Sequence, residues 1–428
     1  MKILVVGAGI AGLGAATYAA RAGHEVRVLE ASSRAGGRAR TVTSRRGDRA
    51  DVGTQYYHST YSRAKALMRE VGLERSLTKI AGDSRFFDDR ARGGSFLVGH
   101  RLPWFRPAGV PGMARLGLEL ARLLTHRLDP YGLAPSPALD DRLAWDALSH
   151  PVMREFALRP LTLAGAITEP EAAAPSLLHA LRLIRIIVLT EYLTLPGGIA
   201  SLHDALAARL RVELERPARR LVVEGDRVRG VELEGSGRVE TADHVIVATT
   251  PPVAARLVPD DWRMEREFLA SITIPPFVFP TFFLDRPLER GVWSYVTRQG
   301  SHHKVNIVLD ASQKCPALAP SGKAVLQPWA CFPHSRELVG RSDDEVVAAC
   351  ERELGELFPG FSSWIEEVHV TRHPYAVPFH GVGHQRRALE FLARVDARRG
   401  VSFAGDYLSG GYLEPALWSA ERAASRVG

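Results

Sequence analysis

The sequence predicts an α/β protein: a Rossmann-like dinucleotide-binding domain assembled from separated segments, with an inserted α+β domain of mixed sheet plus helices. Three observations predict it. The stretch ILVVGAGIAGLGAATYAARAGHEVRVLE sets a GxGxxG between an apolar run and an alanine-rich run, and closes on an acid after a second apolar run. Similar strand, turn and helix material returns in the middle of the chain and again at its end. Between these blocks lie segments of different pattern, first helical and then rich in strands.

The first block reads strand, turn, helix, strand. Ile3 to Val6 is apolar, Gly7, Gly9 and Gly12 follow, and Leu13 to Arg21 has helical character. In a dinucleotide site the first glycine permits the tight turn, the second admits a pyrophosphate, and the third brings helix and strand close. Gly7, Ala8, Gly9, Ile10, Ala11 and Gly12 are therefore candidate phosphate-binding residues at a helix N-terminus, where free N–H groups favour anions. The strand Val26 to Leu29 ends at Glu30, beside Ala31, where a carboxylate accepts from both ribose hydroxyls. A GxGxxG alone is weak evidence; its frame of strand, helix, strand and acid is what makes the site.

A helix at Ser62 to Val71 trails this block, and short strands are expected in RFFDD and GSFLVGH. Residues 107–192 carry apolar positions at spacings of three and four and read as mainly helical. LPGGIASLHDALAARL gives a turn and a helix, Ile199 to Leu210, before alternating strands in RRLVVEGDRVRGVELEG and DHVIVATTPP. FVFPTFFLD, KVNIVLD and AVLQPWACF are further strands, with a helix at Asp343 to Leu357, and the chain closes as strand, glycine-rich turn and helix. The expected division is 1–75, 196–260 and 385–428 for the dinucleotide domain, and 76–195 and 261–384 for the inserted domain, with 107–192 as its helical segment.

The 428 residues suffice for two sizeable cores, and single cores seldom exceed about 300 residues. A net charge of +7 and a pI near 9.5 could attract nucleic acid, but the basic residues are scattered, with no basic block interleaved with aromatics. The most apolar window, Leu177 to Leu195, carries Arg182, Arg185 and Glu191, so it is no membrane span and reads as an amphipathic wall around an apolar pocket. With a strand starting at Ile3, a cytoplasmic location is expected. Cys315, Cys331 and Cys350 lack CxxC spacing and read as reduced structural thiols. His380 and His384, in PFHGVGH, read as a loop pair, since the intervening glycines oppose a helix presenting both to a metal; no metal site is expected.

LEASSRAGGRART, LPGGIASLHDAL, RVELERPARRLVV, HVIVATTPP and FAGDYLSGGYLEPALWSAERAA occur in this order. On these segments the chain resembles the FAD-dependent amine oxidase superfamily, which includes monoamine and polyamine oxidases, protoporphyrinogen oxidases and carotenoid-type desaturases. The resemblance implies one noncovalently held FAD. Gly36, Gly37 and Arg38 match its GGR motif, whose loop and guanidinium help hold the pyrophosphate through charge-assisted contacts. Asp51, Gly53, Thr54, Gln55 and Tyr56 match a D-x-G segment that passes near the isoalloxazine ring. Ala218 falls where a backbone contacts the adenine, and Ala248, Thr249 and Thr250 end the strand before a Pro-Pro turn. Gly405 and Asp406 match a terminal pair near ribityl and phosphate groups; Leu413, Glu414 and Ala416 open the last helix beneath the flavin N1 edge, where a helix N-terminus stabilises negative charge.

The resemblance implies a flavin-dependent oxidoreductase that abstracts a hydride from a C–N or activated C–C unit of a hydrophobic or aromatic-containing small molecule, in specialised metabolism. Oxygen or another acceptor then reoxidises the flavin, and the protein orients and desolvates. Two alternatives stay open: flavin-dependent isomerisation or cyclisation without net redox change, and a flavin-binding non-catalytic subunit. Tyr412 stands where amine oxidases place an aromatic flanking the substrate, and is otherwise a core tyrosine. The flavin-facing lysine of amine oxidases would fall near Phe279, which cannot replace it, and His373 stands near a common family tryptophan. Trp293, Tyr295, Trp329 and Phe332 lie on expected strands and either line an aromatic pocket with Phe279 or fill a core.

Overall fold

A computed structural model describes residues 1–91, 93–99, 103–133, 136–298 and 300–427. Its first layer is a five-stranded parallel sheet in the order Arg211–Glu213, Glu25–Leu29, Lys2–Val6, His244–Val247, Val401–Phe403. Strands from the start, middle and end of the chain thus pair directly, with Val5 opposite Ile246 and Val247 opposite Phe403. Both faces of this sheet are covered, which explains the unbroken apolar runs. Ile3, Val5 and Ile246 pack into one core, with the helices Ile10–Arg21 and Leu413–Ala424; Leu4, Val6, Val245 and Val247 pack into a second on the other face. The two helices meet closely because Gly14 has no side chain: a Cβ there would lie 2.6 Å from Leu417 Cδ2.

The second large layer is a seven-stranded sheet in the order Ile365–His373, Phe277–Leu284, Val325–Trp329, Ile307–Asp310, Val292–Thr297, Asp83–Phe87, Ser95–Val98. Its pairs are antiparallel except Val292–Thr297 with Asp83–Phe87. Period-two alternation along Phe277–Leu284 sends Phe277 and Phe279 into one core and Val278, Phe282 and Leu284 into another, against the helix Asp343–Leu357. Helices between residues 109 and 183, including Gly109–Leu124, Arg159–Ala166 and Leu177–Leu183, cover the Phe279 face as the spacing of apolar residues predicts. A π-helical turn, Ile184–Val188, extends the last of these and delivers Ile187 to the same core. Arg182 in this wall is buried, not solvated, and donates to the carbonyls of Ser409 (2.8 Å) and Gly132 (2.6 Å). Cys315, Cys331 and Cys350 are free and buried.

The two histidines read as a loop pair are more tightly placed than expected. His384 opens the helix His384–Asp396, stacked on His380 at 3.9 Å between ring centroids, and His179 lies 5.1 Å from His380. His384 Nε2 donates to the Tyr407 carbonyl at 2.8 Å. Burial holds the His179 pKa down to about 3 and those of His384, His203 and His244 to about 4, and drives His380 well below the usual value. Unfolding frees each to titrate near 6.5, so as pH falls below that value the unfolded state gains protons that the native state refuses. Burial also raises Asp310 to about 6 and lifts Glu414 above its ordinary value, two effects that oppose the five histidines. The urea midpoint is therefore expected to be flat above about pH 7 and to fall towards pH 4, each histidine contributing up to about 1.4 kcal/mol per pH unit. Equal midpoints at pH 7.5 and pH 5 would contradict this.

Candidate functional site

The glycine turn is built as the motif requires. Gly7 has φ +106°, and a Cβ there would lie 2.7 Å from the Ala248 carbonyl oxygen. A Cβ on Gly12 would lie 1.8 Å from Gly7 O, so helix and strand touch backbone to backbone. Gly9 differs: a Cβ there would meet nothing within 4 Å, leaving open space over the turn. The second motif converges on that point, since Gly37, with φ +55°, approaches Gly9 Cα to 3.2 Å from its own would-be Cβ. Gly36 N also donates to Ala8 O at 2.8 Å.

Glu30 Oε2 accepts from Ala8 N at 2.8 Å and Oε1 from Ser32 N at 2.9 Å, which fixes the carboxylate beside the turn with lone pairs to spare. Ala31 is exposed next to it. The backbone of Glu30 binds Glu213 and Arg216, and Ala218 begins the following strand, Ala218–Glu224, of a separate three-stranded antiparallel sheet. Arg38 Nη1 lies 2.7 Å from Asp406 Oδ2 and donates to the Ala376 carbonyl at 2.7 Å, so the GGR arginine meets the terminal Gly405-Asp406 pair. Ala248 and Thr249 follow the strand His244–Val247, where Gly7 packs on Ala248.

The D-x-G segment is held by a buried polar network that sequence reasoning missed. Asp51, fully buried, accepts at Oδ1 from Thr41 Oγ1 and Ile199 N, both at 2.8 Å, and at Oδ2 from Lys314 Nζ at 2.7 Å. Lys314 Nζ also donates to Gln55 O (2.9 Å) and Gln55 Oε1 (3.2 Å). Gln327 Nε2 donates to Asp51 O at 2.9 Å. His373 Nε2 donates to Val52 O at 2.6 Å, and a Cβ on Gly53 would lie 1.7 Å from Arg38 O. Thr54 is half-buried in the same segment. Nothing local to residue 314 signals this role, because its partners lie 263 and 259 positions away.

Beyond Gln55 the segment presents Tyr56 to an aromatic group. Tyr56 stacks on Tyr192 at 4.6 Å, and Trp293 stands edge-on to both at 6.1 and 6.0 Å. Phe279 packs 6.1 Å from Trp329 in the same core, with Leu183 and Ile187 in its wall. Tyr412 precedes the closing helix and packs against this core and that of the dinucleotide sheet. Its buried hydroxyl, like Trp329 Nε1, has no hydrogen-bond partner among the described residues. Two of the aromatics expected to line a pocket or fill a core stand apart from this group. Tyr295 packs into the opposite core, because the strand is irregular between Val292 and Ser294 and Trp293 takes the Phe279 side; Phe332 lies beyond the strand that ends at Trp329. Leu413 and Ala416 are buried at the start of the closing helix, while Glu414 turns away to accept from Arg63 N (2.7 Å) and Ala64 N (3.1 Å), capping the helix Ser62–Glu70. Burial, its largest influence, raises the Glu414 pKa.

A parallel sheet with a glycine turn, an acid at the second strand and a remote arginine on the same cleft defines a dinucleotide flavoprotein. The chain belongs to the flavin containing amine oxidoreductase family, which it matches over residues 10–428. It is an oxidoreductase enzyme whose cofactor is FAD, and the open space over Gly9, with the Gly37 backbone brought beside it, fits that group. It is 23% identical over 445 residues to 15-cis-phytoene desaturase of Capsicum annuum, covering 96% of this chain and 75% of that one. It is 29% identical over 269 residues to the provisionally named flavin-containing monoamine oxidase AofH of Mycobacterium tuberculosis, covering 59% and 57%. Its fold matches cyclohexylamine oxidase of Brevibacterium oxydans with a TM-score of 0.75 at 20% identity, over 99% and 98% of the two chains. Among the described residues no helix is long and apolar enough to cross a membrane.

Proposed function

We propose that the protein desaturates an activated C–C unit of a hydrophobic small molecule, with FAD held noncovalently and reoxidised by oxygen or another acceptor. The observation that carries this reading is Phe279. It is 1% exposed among Phe277, Trp329 and Leu183, near where the resemblance would put the amine oxidases' lysine. A wall of this kind gains from burying apolar substrate surface and offers nothing to an ammonium group beyond ring faces. The desaturase relative agrees with it. Oxidation of a C–N unit is the second reading, favoured by the monoamine oxidase relative and by the aromatic Tyr412.

In this proposal the segments 1–75, 196–260 and 385–428 form the cofactor domain, and the remainder holds the substrate in the cytoplasm. FAD, when bound, supplies the hydride acceptor. The turn Gly7 to Gly12 and the loop Gly36 to Arg38 bind the pyrophosphate; Glu30 and Ala31 adjoin the ribose, and Ala218 the adenine. Ala248, Thr249, Gly405 and Asp406 line the middle of the cofactor. Gly53, Thr54, Gln55 and Tyr56 border the ring on one side, Leu413 and Ala416 on another. Phe279, Trp293, Trp329 and Tyr412 orient the substrate and exclude water.

Anaerobic mixing of the FAD-loaded protein with polyenes, porphyrinogens and amines tests the reading. Bleaching of the flavin absorbance by a polyene or porphyrinogen supports it, and bleaching by amines alone transfers support to the second. Turnover without bleaching would point to isomerisation. Tyr412→Ala is expected to slow flavin reduction about tenfold or more while FAD occupancy stays full, because it removes an orienting ring and no phosphate contact. An unchanged single-turnover rate would reject the role.

A further inference from the structure

On the face of the seven-stranded sheet opposite Phe279, the helix Asp343–Leu357 packs through Val346, Cys350 and Leu354. The connection between the strands Val292–Thr297 and Ile307–Asp310 runs alongside it and carries His302 and His303. We propose that His302, His303 and Glu356 form a binding site for a divalent transition metal of the zinc class, which fastens this connection to the helix.

His302 Nε2 lies 2.7 Å from Glu356 Oε2, and His303 Nδ1 lies 3.8 Å from the same oxygen. All three ligand atoms fall within 4.8 Å of one another. The imidazole rings are 4.2 Å apart between centroids and inclined by 35°, so both present nitrogen towards one carboxylate. His303 is the telling residue. Its side chain is 12% exposed, and its Nδ1 is buried without a hydrogen-bond partner among the described residues. A buried nitrogen left unmatched costs free energy, and a metal ion satisfies it without needing a donor or acceptor of particular polarity. Glu353, one helical turn before Glu356, lies 4.0 Å from His303 Nδ1 and accepts from Val305 N at 2.7 Å, holding the loop in reach.

Two imidazoles and one carboxylate, without thiolate, are a borderline donor set that suits Zn²⁺, Cu²⁺ or Ni²⁺; Ca²⁺ and Mg²⁺ favour all-oxygen shells. Tetrahedral zinc with bonds of about 2.0–2.1 Å sets ligand atoms about 3.3 Å apart. The 2.7 Å contact must open and the 3.8 Å contact close by about half an ångström each. Glu356 is half exposed and free to make that adjustment, and water completes the fourth position. The fastened loop leads into Asn306, whose amide donates to Glu169 (2.9 Å) and whose carbonyl accepts from Cys331 N (2.8 Å). The metal therefore steadies the strand pair that carries Trp293 rather than taking part in hydride transfer.

The test uses the full FAD-loaded chain, stripped with a chelator and titrated with zinc chloride against a chromophoric competitor. One equivalent of zinc should bind and raise Tm, reversibly on chelation, with no response to calcium or magnesium. His302→Ala and Glu356→Gln change exposed groups, and each should weaken zinc binding at least tenfold while leaving the metal-free Tm in place. His369→Ala removes an ordinary histidine–glutamate pair elsewhere (2.6 Å) and should leave zinc affinity unchanged. The proposal is overturned if wild type takes up no stoichiometric zinc, if either site variant binds it as tightly as wild type, or if His369→Ala weakens binding equally.

Discussion

Lys314→Met is expected to destabilise the FAD-loaded protein by about 3–5 kcal/mol, the range for removing one partner of a buried ion pair. Lys314 is 1% exposed and Asp51 is fully buried, with their charged atoms 2.7 Å apart. Desolvating both ions is costly, and the arrangement survives because every acceptor is used: Lys314 Nζ serves Asp51 and two oxygens of Gln55, and Asp51 Oδ1 keeps Thr41 and Ile199. Methionine fills the volume of the stem but leaves a carboxylate without its cation and Gln55 without its donor. Unfolding entropy of about 2.1 cal/mol/K per residue over 428 residues converts the loss to a Tm decrease of about 3–6 °C. Urea denaturation checks it. The double variant Asp51→Asn with Lys314→Met should recover part of the loss, because no unpaired charge remains buried. If Lys314→Met alone unfolds at the wild-type urea concentration, the network does not hold the D-x-G segment as described.

What the sequence made legible follows the range of the interactions. The glycine turn is local: strand, Gly7, Gly9, Gly12 and helix are contiguous, so steric rules alone predict close packing, which Gly12 and Gly7 display. The alternation in FVFPTFFL is local too, and it places Phe277 and Phe279 together on one face. The convergence of Arg38 with Asp406 was legible only through the resemblance, since nothing in either segment names the other. Lys314 was legible by neither route. A lone lysine in DASQKCP reads as solvated surface, and its burial is decided by Asp51 and Gln55 arriving from the other end of the chain. Trp293 and Tyr295 show a further limit: both sit on one strand at like parity, yet a local irregularity sends them to opposite cores, and sequence period does not report such a shift.

The second large effect separates two glycines of one motif. Gly12→Ala places a methyl group 1.8 Å from Gly7 O and 2.9 Å from Gly7 C, both backbone atoms that no rotamer change can clear. The helix Ile10–Arg21 must lift from its strand, breaking its packing against Leu417 and Ala420, so stability falls by about 3 kcal/mol or more and FAD is lost with it. Gly9→Val meets nothing within 4 Å of its Cβ, and Gly9 has φ −74°, which any residue adopts. The apoprotein should therefore keep its wild-type Tm, whereas FAD affinity should fall about a hundredfold or more, near 2.7 kcal/mol, because the side chain fills the space over the turn where a pyrophosphate must approach. Fluorescence titration of FAD into both apoproteins, alongside their thermal unfolding, distinguishes the two. A Gly9→Val protein that retains its yellow colour through gel filtration would mean the phosphates lie elsewhere, and one that unfolds like Gly12→Ala would mean that the open space over the turn is not there.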